Sequence, residues 1–465
     1  MPRWPLPVLL AVVCAAASTA AVRVPAAGGD DGDEAPALRA PVLSARRAPA
    51  FLSRTVADTR LRVQLDSALA EPALGAARDR SCLVVRQGSR PVLQRRPDER
   101  LIPASNLKIL TASAVLARLG PDEHLVTEVR AAPAPRGGVV EGPLFLVGGG
   151  DPLLGTADYA ASFENQPQVR TSLEGLADAV VAAGVTLVRG GVVGDETRYD
   201  TQRYIPTWKP GYITDFESGP ASALVVNDGF AQFTPRHIAA PEPDAHAAGV
   251  LTALLQARGV TVEGVAGEGR APDGSAVVAK VESPPLGEVV RQMLRESDNL
   301  TAELLVKELG RRFAGDGSTT AGLGVLRETL TEAGLPVDQL TSVDGSGLDR
   351  SDRATCGLLM AVIDSSGPTG PVAAGFPVAA RDGTLAKRFL GGNPAAGRLR
   401  AKTGSLDGVV GLSGYVDAPA GGDPLAFSLL VNDLPRDALG SALQEQVGAI
   451  LARYPEAPAA EELAP

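Results

Sequence analysis

Ser105 and Lys108 stand three residues apart at the head of a run that is apolar on nearly every face from Leu107 to Leu119. Pro103 suits a helix start, because its missing N–H costs nothing there. Gly120-Pro121 supplies a stop. The spacing predicts a buried helix with a serine in its first turn. Lys108 is the only charge between Pro103 and Arg118. Positions i and i+3 share a helix face, so the amine reaches the hydroxyl. Burial disfavours an ammonium and lowers its pKa. A lysine that is neutral part of the time, next to a serine, is a base beside a nucleophile. The pattern S-x-x-K is short, however, and taken alone it more often means a capping serine and a lysine that snorkels to water. Two further groups draw attention: Ser297-Asp298-Asn299, between two helical stretches, and Lys402-Thr403-Gly404, which leads into a strand.

The elements that must position these groups are legible in outline. Leu61–Ala70 has helical spacing, and Cys82-Leu83-Val84-Val85 and Pro91-Val92-Leu93 read as strands around Gln87-Gly88. From Pro135 the texture becomes β-rich, with short runs at Leu144–Val147, Val185–Val193, Ala223–Val226, Val260–Val265 and Val277–Val281. Two helical stretches, Leu173–Ala183 and Ala247–Ala257, each run into Gly-Val-Thr, which hints at a repeated helix–strand unit. Helical spacing returns at Leu286–Arg295 and Leu300–Phe313. Strands follow at Gly408–Val416 and Leu425–Val431, then a helix at Ala438–Ala452. Both ends of the chain are expected to build one α/β domain, residues 56–135 and 286–455, into which a β-rich region, residues 136–285, is inserted.

The 465 residues suffice for several domains and a large core. Lys+Arg 44 against Asp+Glu 54 leaves a net charge of −10, which argues against nucleic acid as a partner. Residues 1–22 read as an export signal: Arg3, an apolar stretch from Leu6, then small residues at Ala15-Ala16-Ala17 and Ser18-Thr19-Ala20. Leu6–Val22 falls just short of the ~20 residues of a spanning helix. Export with cleavage is therefore expected, with a retained N-terminal membrane anchor as the alternative. Residues 23–55 are rich in Ala, Pro and Arg and read as a flexible spacer, and residues 456–465 as a disordered tail. Past the signal only Cys82 and Cys356 remain, and either a disulfide or two buried thiols fits their apolar surroundings. No H-E-x-x-H or Cys/His cluster suggests a metal, and no cofactor is expected. His124, His237 and His246 lie near none of the three groups in sequence and read as structural or surface residues.

The set S-x-x-K, S-D-N and K-T-G, in this order, resembles that of penicillin-binding proteins and class A β-lactamases. Ser105 and Ser297 lie much farther apart than one compact domain needs. A long insertion there is similar to that of the class C low-molecular-mass penicillin-binding proteins. These are the D-alanyl-D-alanine carboxypeptidase/endopeptidases of peptidase family S13. Gly148-Gly149-Gly150-Asp151-Pro152, Asp344-Gly345-Ser346-Gly347-Leu348, Gly383-Thr384-Leu385 and Leu412-Ser413-Gly414-Tyr415 resemble that family too, and the likeness runs from about residue 56 to 453. It implies an α/β (α+β) penicillin-binding/serine β-lactamase-like transpeptidase domain, an antiparallel sheet flanked by helices in two layers, with the β-rich insertion. It also implies a serine enzyme acting on peptidoglycan stem peptides that end in D-Ala-D-Ala, inhibited covalently by β-lactams.

Carried over position by position, the resemblance makes Ser105 the nucleophile and Lys108 its base. Ser297 and Lys402 relay a proton to the leaving amine, and Asn299 bonds Lys108 and the substrate amide. The backbone N–H groups of Ser105 and Ser405 form the oxyanion site. Lys402, Thr403 and Ser405 grip the terminal carboxylate, and Gly404 lets the substrate lie close. Ser405 stands where many relatives carry Thr. For the substrate side chain, Asp195 and Arg350 match positions that hold diaminopimelate in relatives, and Asp407 faces the same region, where relatives differ. Two other readings stand beside this one. A catalytically vestigial cell-wall-binding protein is opposed by the intact set. A β-lactamase is opposed by the absence of any Leu-Asn pair for an E-x-x-L-N phrase. The oligomeric state is open.

Overall fold

The computed structural model describes residues 48–418 and 422–456, with side chains from residue 54 onward. The expected signal, most of the spacer and residues 457–465 of the tail lie outside the described residues. In chain order come helix α1 (Ala48–Leu69), strands β1 (Ser81–Gln87) and β2 (Arg90–Arg95), helix α2 (Leu107–Leu119), strands β3 (Val126–Ala131) and β4 (Leu144–Val147), helix α3 (Leu173–Ala182) and strand β5 (Val192–Asp195). Then follow α4 (Pro243–Gln256), β6 (Gly267–Glu268), β7 (Ala276–Glu282), α5 (Leu286–Glu296), α6 (Asn299–Phe313), α7 (Thr319–Glu332) and α8 (Cys356–Ser366). Strands β8 (Leu399–Leu406), β9 (Val409–Val416) and β10 (Leu425–Val431) and helix α9 (Asp437–Arg453) complete the order.

The two ends of the chain share one antiparallel sheet, ordered β8-β9-β10-β1-β2. Strand periodicity explains how it is covered. Side chains alternate across a sheet, so Cys82 and Val84 of β1 face one apolar cluster while Leu83 and Val85 face another. The first cluster holds α2, α5, α6, α7 and α8, and the second holds α1 and α9. Every residue of β9 and β10 is buried. The expected two layers are therefore three, because both faces of these strands are apolar and each needs a cover. Helix α2 lies inside the first layer, and its residues from Leu107 to Ala112 and from Ala114 to Leu116 are buried. Helix α1 begins inside the stretch 23–55 read as spacer. Its turns at Leu61, Leu65 and Leu69 dock on the sheet, and extending a docked helix backwards is cheaper than nucleating one.

The middle region has its own sheet, ordered β6-β5-β4-β3-β7, packed against α3 and α4. Strand β3 pairs with β4 and β7. The chain thus enters this region at Val126, ahead of the expected seam at 135/136, because Thr127, Val129 and Ala131 need a buried face that only the second sheet offers. Within it, α3 runs through Gly184 to Leu187–Val188 and then β5, and α4 runs through Gly259 to Thr261–Val262 and then β6. Both strands of the second unit pair in parallel with those of the first. The two Gly-Val-Thr words mark a structural repeat, since each glycine turns at positive φ after its helix. Ala223–Val226, expected as a strand, is a buried loop. Val185–Val193 is interrupted at Gly190-Gly191, where neighbouring backbone leaves no room for a Cβ. The described residues from Ser53 onward, this region included, belong to one compact unit.

Cys82 and Cys356 form a disulfide between β1 and the first residue of α8. It closes a loop of 274 residues. Replacing both cysteines by alanine should lower the unfolding free energy by about 2–5 kcal/mol, seen as an earlier denaturant midpoint.

Candidate active site

Each of the three groups owes its place to a local backbone rule. Ser105 sits in a 3-10 turn, Ala104–Asn106, that runs directly into α2. Ala104 before it holds the left-handed conformation (φ 47), unusual for a residue with a Cβ and a mark of local strain. In Ser297-Asp298-Asn299 every residue has a separate task. Ser297, also left-handed (φ 64), ends α5, and the next amide, of Asp298, donates to the Met293 carbonyl. Asp298 caps α6 by accepting from the Thr301 amide. Asn299 is then the first helical residue. Lys402 lies within β8, the edge strand of the first sheet, and not ahead of a strand as expected.

These elements converge. Ser105, Ser297, Asn299, Thr403, Gly404 and Ser405 line one cleft of about 680 Å³, and Lys108 and Lys402 lie buried beneath it. The Lys108 amine is 3.1 Å from Ser105 Oγ, 2.5 Å from Asn299 Oδ1 and 2.8 Å from the Ser346 carbonyl. The last two acceptors have no proton to give, so they take two amine protons. In the neutral amine the lone pair then points at Ser105, whose hydroxyl donates to it. Burial pushes the Lys108 pKa down to about 8, partly opposed by the charges of Asp344, Asp298, Glu303 and Glu217. Lys402 donates to Ser297 Oγ and to the Thr403 carbonyl, each at 2.8 Å. Its pKa is held well below the usual lysine value by burial and by repulsion from Lys108. The arrangement is a nucleophile with a base, and a second hydroxyl–amine pair across the cleft.

The edge of β8 supplies directed amides. The Ala401 N–H points away from β9, to the Pro377 carbonyl. Amides of residues two apart point the same way, so those of Thr403 and Ser405 also face the free edge. The Thr403 hydroxyl lies 2.9 Å from that of Thr384. Gly404 has a second purpose besides the one expected. A Cβ there would come within 2.7 Å of Asn106 Nδ2 and 2.9 Å of the Pro103 carbonyl. The glycine admits the turn that carries Ser105, besides lining the cleft. Gly347 (φ 85) does the same from the other side, where a Cβ would meet the Ala104 carbonyl at 2.0 Å.

The residues proposed for a substrate side chain are not gathered in this cleft. Asp195 is buried in the middle region and accepts from the amides of Thr197 and Ala271 and the Thr197 hydroxyl. It acts as a structural cap and is not among the lining residues, because a carboxylate at a strand end finds local amides first. Arg350 and Asp407 touch each other beside the cleft: the guanidinium donates to the Asp407 carbonyl, and the Asp407 carboxylate pairs with Lys209. Asn299 departs from expectation too. Its Oδ1 bonds Lys108 as expected, but one Nδ2 proton also goes to the Glu217 carbonyl at 2.6 Å, a partner in the middle region that was not expected.

Several lining residues had no role assigned from the sequence. Leu348 and Thr384 stood in phrases without an assigned role, and the contact through the Glu217 backbone has no side-chain signal at all. His237, read as surface or structural, lines the cleft and packs its ring on Phe230, with centroids 4.7 Å apart. Tyr159 and Asp228 extend the lining, bonded to each other at 2.5 Å.

The family model described as D-Ala-D-Ala carboxypeptidase 3 (S13) matches residues 61–240 and 230–454. The chain is 32% identical to a D-alanyl-D-alanine carboxypeptidase of Actinomadura sp. (strain R39), over 85% of each chain. It is 33% identical to the carboxypeptidase DacB of Mycolicibacterium smegmatis, over 80% of each. In fold it is similar to penicillin binding protein 4 of Haemophilus influenzae, with a TM-score of 0.68 at 20% identity, covering 80% of this chain and 95% of that one.

Two outcomes follow from the geometry. The rate at which a serine-directed acylating probe modifies Ser105 should rise with pH through about 8, because Lys108 accepts a proton only once it has lost its own. Gly404→Ala should cost about 1–3 kcal/mol of stability and slow that modification, because the Ser105 turn is pushed off β8. Thermal melts and probe kinetics at several pH values measure both.

Proposed function

Because the chain belongs to the D-Ala-D-Ala carboxypeptidase 3 (S13) family, we propose that it removes the terminal D-Ala from peptidoglycan stem peptides through an acyl-enzyme on Ser105. Lys108 takes the hydroxyl proton as Ser105 Oγ bonds the carbonyl carbon of the penultimate D-Ala. The oxyanion that forms is met by the backbone N–H groups of Ser105 and Ser405. The C–N bond then breaks, and the proton that Lys108 took passes by way of Ser297, with Lys402 behind it, to the departing amine, which leaves Lys108 neutral again. Water next adds to the ester carbonyl as Lys108 takes its proton; the C–O bond to Ser105 then breaks, and Lys108 returns that proton to Ser105 Oγ. Thr403, Ser405 and the charge of Lys402 would hold the terminal carboxylate, with Thr384 fixing the Thr403 hydroxyl.

The observation that carries this reading is the close bonding of Lys108 to Ser105 while two protonless acceptors hold the rest of the amine. A vestigial site would have no reason to keep two buried lysines, each costly and each opposing the charge of the other. A larger leaving group fits as well, which extends the reading to endopeptidase cleavage of cross-linked peptides. Arg388, Ser441 and Gln444 line the same cleft of about 680 Å³ as Thr384, which favours room for more than a single D-Ala. β-Lactams would acylate the same serine. Action on peptidoglycan places the protein outside the cytoplasm, with residues 1–22 as its export signal. Among the described residues no helix is long and apolar enough to cross a membrane.

Purified protein given defined muropeptides should yield products shortened by one D-Ala, and a fluorescent penicillin should label it. Ser105→Ala should abolish both. Equal labelling of wild type and variant, or of neither, would defeat the proposal.

A further inference from the structure

The Ser346 carbonyl meets the Lys108 amine because the two peptides before it are gripped from behind. Glu303 lies one turn after Asn299 on α6 and is 2% exposed. Its carboxyl accepts from the Ser346 amide at 2.8 Å and from the Gly345 amide at 3.0 and 3.2 Å. The Gly345 carbonyl in turn accepts from the hydroxyl of Thr111, three residues after Lys108 on α2. Gly345 lets the turn lie flat on α6, since a Cβ there would meet Val306 Cγ2 at 2.6 Å and the Ala302 carbonyl at 2.9 Å. One helix therefore reaches Lys108 twice: directly through Asn299, and through Glu303 by way of the turn.

We propose that Glu303 is a positioning residue for the reaction, which holds the Gly345-Ser346 turn so that Lys108 faces Ser105 as its base, and which acts on that lysine through its charge as well as its shape. The inference rests on the reading of Ser105 and Lys108 as nucleophile and base. A role in shape alone would need only an acceptor for two amides, which an uncharged amide also provides. The carboxyl adds a proton site close to the amine. The groups around Lys108 are Ser105 of the Ala104–Asn106 turn, Thr111 of α2, Asp298 at the cap of α6, Asn299 and Glu303 within α6, Asp344 and Ser346 of the Asp344 turn, Glu217 of the middle region and Lys402 of β8. Burial and the Asp344 charge raise the pKa of Glu303. An ionised Glu303 favours the ammonium form of Lys108, and a neutral one does not.

The test is the pH profile of β-lactam acylation for wild type, Glu303→Gln and Glu303→Ala. Gln keeps its carbonyl oxygen on both amides and removes the anion, so Lys108 should lose its proton more readily. Because the Glu303 carboxyl is itself pushed up to about 8, its anion is only partly formed across the acid limb, and the limb should move to lower pH by a fraction of a unit, with the melting temperature little changed. Ala leaves two buried amides unpaired and frees the turn, and should slow acylation by about tenfold or more at every pH. A Glu303→Gln profile that superimposes on wild type overturns the proposal, as does a Glu303→Ala protein that acylates at the wild-type rate. If Glu303→Ala does not fold, the Gln profile decides. A wild type that no β-lactam acylates would defeat the underlying reading instead.

Discussion

The site depends on keeping two amines in one pocket away from water. An ammonium without solvent is costly, and two of them within reach of each other are more so. The surroundings could remove the difficulty by hydrogen-bonding each amine to a carboxylate, but that would fix both as ammonium. They do otherwise. Lys108 is bonded to a hydroxyl, an amide oxygen and a peptide carbonyl, and Lys402 to a hydroxyl and a peptide carbonyl. Neutral acceptors support an amine in either protonation state. The carboxyls that balance the charge, Asp344, Asp298, Glu303 and Glu217, act on Lys108 without a bond to it.

That solution requires acceptors from distant parts of the chain to arrive at one point and stay there. The Asp344 turn is the clearest case. Asp344 accepts from the amides of Gly347 and Asp349 and from the Trp208 indole, so the turn is braced from within and from the middle region. Thr207 bonds Asp349 beside it. The middle region also grips α6 farther along. Arg198 and Tyr199 bond the fully buried Glu308, and Asp200 pairs with Lys307. The insertion thus holds the helix that begins with Asn299 and supplies the carbonyl that Asn299 engages. It is part of the active-site wall, not an appendage to it.

Close backbone approach is the second requirement, and glycine meets it. Gly404 and Gly347 stand on opposite sides of the Ala104–Asn106 turn, and a side chain at either would displace Ser105. The strain at Ala104 and Ser297, both left-handed without being glycine, is borne where the turn and the helix junction must aim a hydroxyl. Stiff packing by α2, buried along most of its length, keeps that aim.

Local rules made much of this legible from residues alone. The α2 helix, the α5–α6 junction and the strands β9 and β10 follow from periodicity and capping, which act over a few neighbours. The S-x-x-K, S-D-N and K-T-G groups announced their chemistry by type and order. What the amino-acid order left open depends on contacts between segments remote in sequence. The cysteines were equally compatible with a bond or with two thiols until β1 met α8. Asp195 looked like a ligand until the middle region folded its own amides around it. Glu303 and the Glu217 carbonyl carry no motif, because one acts through a turn some forty residues on and the other through a backbone atom that every residue has. A side chain's identity is local, but whether it is dry, paired or aimed at a nucleophile is decided by which distant surfaces close over it.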